Sequence, residues 1–146
     1  MTTVKGNVPH IAVLADRLLR EVKHALSGQD WGGLRSSHFR LLSTVPPSGS
    51  TITELSAHLL MTKQAVGQFV KQLRGTGHLD VEADPLDRRR HVAVRTPLGD
   101  RTVLAVDEAI AQLEDEWAQR VGAERYAVFR GVLLELVMVE DVAGTS

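Results

Sequence analysis

The apolar pattern of this chain changes period twice, and that change narrows the folds open to it. As far as Leu73, apolar residues return every three or four positions, the spacing of one face of a helix. Arg74-Gly75-Thr76-Gly77 then interrupts the pattern with glycines suited to a left-handed helix C-terminus. Leu79 to Ala83 (LDVEA) and His91 to Arg95 (HVAVR) alternate apolar with polar residues, and Asp84 to Arg90 (DPLDRRR) between them has turn chemistry around its Asp-Pro. Helical spacing returns after Thr96-Pro97, where threonine is a cap and proline occupies the first turn without wasting an N–H. The expected fold is mainly α with one small β-hairpin, and the tip of that hairpin is basic.

Caps and breakers place the helices. From His10 to about Ala25, Ile11, Leu14, Ala15, Leu18, Leu19 and Val22 form one apolar face. SGQDWGG ends that helix, LRSSHFRLLSTV makes a short second one, and PPSGS closes it. Thr51-Ile52-Thr53-Glu54 has the capping-box form, in which hydroxyl and carboxylate satisfy free N–H groups at a helix start. This third helix runs to about Leu59, and Leu60, Met61 and Thr62 turn into a fourth. The fourth carries Val66, Phe69, Val70 and Leu73 on one side and Lys63, Gln64, Gln68 and Lys71 on the other. Beyond Pro97, Val103, Val106, Ile110, Leu113 and Trp117 form the seam of a long helix. After VGAE a last helix presents Tyr126, Phe129, Val132, Leu133, Leu136, Val137 and Val139.

A length of 146 residues, 43% hydrophobic and 24% charged, suits a single subunit spanning 1–146 with a real core. The absence of cysteine excludes disulfides, thiolate metal sites and catalytic or redox thiols. The first ten residues lack the apolar core of a signal peptide, and no apolar run approaches the roughly 20 residues of a membrane span. A cytoplasmic protein with no membrane partner is expected. The net charge of −1 conceals a gradient: residues 61–101 hold eight basic and five acidic side chains, residues 102–146 three and nine. Screening confines such fields to about 8–10 Å, so a local basic face binds phosphate in a chain that is nearly neutral overall.

Two short helices joined by a tight turn and followed by a hairpin form the layout of a winged helix-turn-helix. In that layout the second helix enters the DNA major groove, and the hairpin reaches the adjacent backbone or minor groove. Glutamine pairs with two edge atoms of adenine, which makes Gln64 and Gln68 candidate base readers, with Lys63 and Lys71 as positioning contacts. The helix alone would serve equally as a solvated amphipathic surface. The hairpin tip decides between the two, because Arg88, Arg89 and Arg90 repel one another unless an anion lies opposite, and a narrow minor groove favours inserted arginine. Asp87, like Asp84, is placed to hold a guanidinium through a forked hydrogen bond. The plainer reading of the tip is a charged turn that blunts an edge strand.

The stretch from Ile52 to Gly99 resembles the signature region of the MarR (multiple antibiotic resistance regulator) family, with DPLDRRR followed by TPLG as its most specific part. The helical order on either side extends the resemblance over essentially the whole chain. It implies a homodimeric winged-helix transcriptional regulator, dimerised through its N- and C-terminal helices and bound to a pseudo-palindromic operator in double-stranded DNA. It also implies a repressor released by a small, often aromatic, effector. The DNA-binding lobe would span 34–99 and the helical dimerisation region 8–30 and 100–143. Position by position, Thr62, Lys63, Gln64, Ala65, Gln68 and Lys71 match the recognition helix. Arg89 would enter the minor groove with Asp87 as its support, Arg88 would be a second backbone contact, and Arg90 completes the wing set. Ser36, Ser37 and Arg40 match a supporting helix that reaches phosphate. Two positions depart from the pattern: Ser56 replaces a small alanine, and Arg95 replaces an apolar residue, either snorkelling to solvent or adding a phosphate contact.

A terminal helix as apolar as 126–139 separately points to association, although intramolecular core is its other use. No enzyme is expected, and no cofactor. His10, His24, His38, His58, His78 and His91 are scattered without metal-ligand spacing, Gly75 and Gly77 follow a helix instead of a strand, and no GxSxG occurs. The alternative is a winged-helix protein-interaction module, which has no use for the DRRR tip beside a Lys- and Gln-bearing helix face. Trp31, His38, Phe39 and Trp117 are the rings available to line a ligand cleft, with core packing their commoner role. No ligand residue is assigned.

Overall fold

Six helices and one antiparallel hairpin make up the computed structural model, which describes residues 9–29 and 31–143, with side chains as far as Met138. The elements are α1 (Ile11–Ser27), α2 (Ser36–Thr44), α3 (Ile52–Leu59), α4 (Lys63–Gly75), β1 (Leu79–Ala83), β2 (His91–Arg95), α5 (Pro97–Val121) and α6 (Ala123–Ala143). This is the mainly α, winged helix-turn-helix class expected. The last helix begins earlier than expected: the Ala-Glu of VGAE lies inside it, and Gly122 at φ +96° makes the break. Val139 and the segment limits set at residues 8 and 30 lie outside the described residues or side chains. Among the described residues no helix is long and apolar enough to cross a membrane.

The chain divides into two compact units, one ending at Glu108 and the other beginning at Ala109. The core of the first is formed where α2, α3, α4 and the hairpin meet. Leu41, Leu42, Val45, Leu55, Leu59, Val66, Val70, Leu73, Leu79 and Ala93 are buried together, each from the apolar side of its element. The hairpin pairs Leu79 with Arg95 through to Ala83 with His91. A bridge between Ser50 and Ala93 adds a further rung on the other edge of β2. Gly49 permits this approach: at φ +83°, a Cβ there would lie 2.9 Å from Val94 and 3.0 Å from the Ala93 carbonyl.

Local chemistry sets where these elements stop. Thr51 Oγ1 accepts from Glu54 N–H at 3.1 Å, and Glu54 Oε2 accepts from Thr51 N–H at 3.2 Å, completing the capping box. α4 ends in a Schellman arrangement, with Gly77 at φ +83°, His78 N–H donating to Leu73 O at 2.9 Å and Gly77 N–H to Arg74 O at 3.1 Å. Thr96 caps α5 by accepting from Gly99 N–H at 3.1 Å. It also donates to Gly77 O at 2.5 Å, which ties the end of the hairpin to the end of α4. Gly99 is required there, because a Cβ would fall 2.2 Å from the His78 carbonyl oxygen.

In the second unit the two helices are held by one carboxylate. Glu114 Oε1 accepts from the Tyr126 hydroxyl at 2.6 Å and from Arg130 Nε at 2.9 Å. The Tyr126 hydrogen bond, with the Arg130 charge behind it, holds the Glu114 carboxyl below its ordinary value. Burial and the same carboxylate push the Tyr126 phenol up to about 12. Trp117, Tyr126 and Phe129 follow one another with centroids 6.4 and 5.9 Å apart.

Candidate nucleic-acid interface

The turn between α3 and α4 aims the second helix. Leu60 closes α3 in the left-handed region, at φ 52° and ψ 43°, and its N–H donates to Ser56 O. Ser56 Oγ donates to Met61 O at 2.6 Å, so the serine that departs from the family pattern is a stitch across this turn. Thr62 then caps α4, accepting from Ala65 N–H at 3.1 Å. From that cap the helical period places Lys63, Gln64, Gln68 and Lys71 along one exposed strip. Val66, Val70 and Leu73 face the opposite way and are buried. Ala65 is half-buried at the edge of the strip.

The hairpin tip is built from its own aspartates. Asp84 Oδ1 accepts from Leu86 N–H at 2.9 Å, and Asp87 Oδ1 from Arg89 N–H at 3.1 Å. The expectation that Asp87 holds a guanidinium by a fork is therefore corrected. It fixes Arg89 through the backbone, as a short polar side chain in a turn commonly does. Arg88 and Arg89 are exposed and pair with no acid among the described residues, and the same holds for Lys63 and Lys71. Arg90 differs from its two neighbours. Its guanidinium bonds Glu54, the capping-box carboxylate of α3, and its Nε lies 3.9 Å from Asp84 Oδ2. Spacing along the sequence gives no sign of this pair, whose members are 36 residues apart.

Ser36 is half-buried and Ser37 exposed in the first turn of α2. Arg40, also exposed, donates through Nη2 to Leu59 O at 3.2 Å and so satisfies a free carbonyl at the end of α3. Arg95 does neither of the things expected of it. Its side chain is largely covered, with Nε 2.9 Å from Asp100 Oδ1 in the first turn of α5 but not aligned for a hydrogen bond. The ion pair forms because β2 runs directly into that turn and brings the two residues together.

Of the four rings considered for a cleft, three gather in the first unit. Trp31 is half-buried, lies edge-on to the buried Phe39 at 5.2 Å, and donates Nε1–H to Leu26 O. His38 is buried, accepting from Arg35 N–H at Nδ1 (2.9 Å) and bonding Gln72 Oε1 through Nε2 at 2.7 Å. With Nδ1 an acceptor, the Nε2–H is the donor to Gln72. Trp117 sits in the second unit beside Tyr126. The loop from Trp31 to Leu34 borders three concavities of about 410, 510 and 410 Å³. His78 and Thr102 line one of these, and His38, Phe69 and Gln72 another. Burial lowers the His78 pKa from its ordinary value.

Residues 33–90, from the loop before α2 to the wing tip, match the sequence model of the MarR family. This segment belongs to the MarR family. Solved structures carry the likeness through the rest of the MarR-type fold. The reduced form of MarR from E. coli superposes with a TM-score of 0.73 at 18% identity, covering 88% of this chain and 97% of that one. CouR from Rhodococcus jostii bound to p-coumaroyl-CoA gives 0.70 at 18%, covering 86% and 87%. The transcriptional regulator BldR from Sulfolobus solfataricus gives 0.65 at 21%, covering 86% and 90%. No curated protein matches by sequence. At these identities the likeness to the solved structures is one of fold, and in that MarR fold the exposed strip of α4 and the hairpin tip are the helix and the wing.

Proposed function

We propose that the chain is a cytoplasmic, homodimeric transcriptional regulator that sets α4 in the major groove of duplex DNA and the wing in the adjacent minor groove. The observation that carries this reading is the set of side chains left over by the fold. Lys63, Lys71, Arg88 and Arg89 are exposed without an acidic partner among the described residues, and Gln64 and Gln68 stand between the two lysines. The same lobe pairs Arg74, Arg90 and Arg95 with its own acids, which leaves these four for an external anion. In the proposed complex the glutamines contact base edges, Arg89 enters the minor groove, and Lys63, Lys71 and Arg88 contact phosphate, with Ser36 and Ser37 on the flanking backbone. Thr62 and Ala65 bring the N-terminal turn of α4 to the DNA.

The dimer rests on apolar surface. Ile11, Leu14, Leu18 and Leu19 of α1, and Val128, Phe129, Val132, Leu133, Leu136 and Val137 of α6, are exposed in the single chain. An exposed apolar surface of this kind marks an association site. Closed two-fold symmetry would then place two α4 helices on the two halves of a pseudo-palindrome.

Effector control is the finer part of the proposal: a repressor whose DNA affinity falls when a small aromatic molecule occupies the concavities beside the loop from Trp31 to Leu34. Their volumes fall within the usual range for small-molecule sites. CouR holds p-coumaroyl-CoA and S. aureus MepR holds ethidium in structures of the same fold.

Selection of the purified protein against a random duplex pool at physiological salt tests the reading. Enrichment of a pseudo-palindrome with half-sites about one helical turn apart, roughly 10 bp, is the expected result. Salt-sensitive background binding with no enriched sequence would transfer the fold to the protein-interaction alternative.

A further inference from the structure

Most glycines of the winged-helix unit have a reason within the fold. Gly49 and Gly99 lie where a Cβ would collide with backbone, and Gly77 holds the positive φ that ends α4. Of the other two, Gly75 is the last residue of α4, and Gly67 has none of these reasons. It lies inside α4, its φ is helical, and a Cβ there would meet only Ile52 Cδ1, at an ordinary contact distance of 3.9 Å. Glycine inside a helix is about 1 kcal/mol less favourable than alanine, so the fold gains nothing from its presence. The helical period sets Gly67, itself half-buried, between Lys63 and Lys71 one turn to either side, at the edge of the exposed strip that Gln64 and Gln68 continue.

We infer that Gly67 is a specificity-determining position at which α4 seats bare backbone against the edge of one base pair in each half-site. The inference rests on the DNA-binding reading above. A glycine is the residue that allows a backbone to approach a ligand closely. Here the missing side chain lets the helix sink between the two lysines until the flanking glutamines reach the groove floor. At the base pair beneath Gly67, discrimination comes from shape: a pair whose edge projects into the space left by the side chain is accommodated, and a Cβ would exclude it.

The test is Gly67→Ala in the full-length protein, with Gly67→Ser as a second variant, on the duplex selected by the wild type. The fold has room for the methyl group, so the thermal midpoint of Gly67→Ala should rise by about 2–4 °C. Its affinity for the selected duplex should fall about tenfold or more. Selection repeated with the variant should change the preferred base at one position per half-site and leave the others as they were. A raised midpoint with unchanged affinity would overturn the inference, and so would a lowered midpoint, which would return the glycine to the fold. A uniform loss over all duplexes, with no change of preferred base, would overturn the specificity role. Failure of the wild type to select any sequence would refute the DNA-binding reading itself, an outcome distinct from all of these.

Discussion

Leu60 joins α3 to α4 in a conformation that β-carbon sterics disfavour, and 88% of its surface is exposed, so no packing offsets the strain. The left-handed region costs a residue with a side chain about 1–2 kcal/mol, and glycine brings about 0.5–1 kcal/mol of extra unfolded-state entropy. Leu60→Gly should therefore stabilise the chain by roughly 0.5–1 kcal/mol, seen as a higher urea midpoint at unchanged slope. A lower midpoint would mean that the leucine side chain makes a stabilising contact. His78 supplies a pH-dependent contribution. Its folded pKa lies below the ordinary 6.5 because burial disfavours the charged ring. Between those two values the unfolded chain holds a proton that the folded chain does not, so stability present above 6.5 is lost as the pH falls towards the folded value. On moving from about pH 7.5 to 5.5, the wild-type urea midpoint should fall further than that of His78→Gln. Equal falls would place the acid sensitivity elsewhere.

At the scale of elements, the wing is held in place by the residue that starts the helix-turn-helix. Glu54 caps α3 with Oε2 and takes the Arg90 guanidinium on Oε1, so the tip segment of the wing is tied to the first turn of that helix. Both partners are more than two-fifths exposed, and such pairs contribute little to global stability. Their effect is on where Arg88 and Arg89 point. Arg89→Ala should cost about 1–3 kcal/mol of DNA affinity, and Arg88→Ala, which removes a phosphate contact, should lower the log-log salt slope by about 0.9 per half-site. Arg90→Gln should weaken binding and leave that slope unchanged, and its effect should be non-additive with Glu54→Gln in a double-mutant cycle. A slope lowered by Arg90→Gln as much as by Arg88→Ala would make Arg90 a phosphate contact. The elements themselves were legible because their signals are local: the Thr51 box, the Arg74–Gly77 stop, the alternating strands and the Thr96-Pro97 start each lie within a few residues. Arg90 with Glu54 and His38 with Gln72 were not, since each pairing spans more than thirty residues and exists only once the core has assembled. The pairing of Arg95 with Asp100, only five residues away, is also not legible, because the strand-to-helix corner between them is what turns the side chain inward.

For the whole molecule, the decisive surface is α6, whose apolar residues continue around most of its circumference. Phe129, Leu133, Leu136 and Met138 are all substantially exposed in the single chain. The apolar positions were legible in the sequence, but whether the chain would bury them within itself was not, because that depends on tertiary packing. Leu136→Asp replaces a side chain that is 67% exposed, so the fold of the chain should tolerate it. Under the proposed assembly the wild type should sediment as two chains and this variant as one, with operator binding lost alongside. A wild type that sediments as one chain at micromolar concentration would remove the dimer. If the paired form alone can span both half-sites, the uncovered α6 also sets the dose law of the regulator. While most chains are single, the paired species grows as the square of chain concentration. Halving synthesis would then cut the operator-competent form to a quarter, so dilution of the protein by growth would lower operator occupancy more steeply than in proportion.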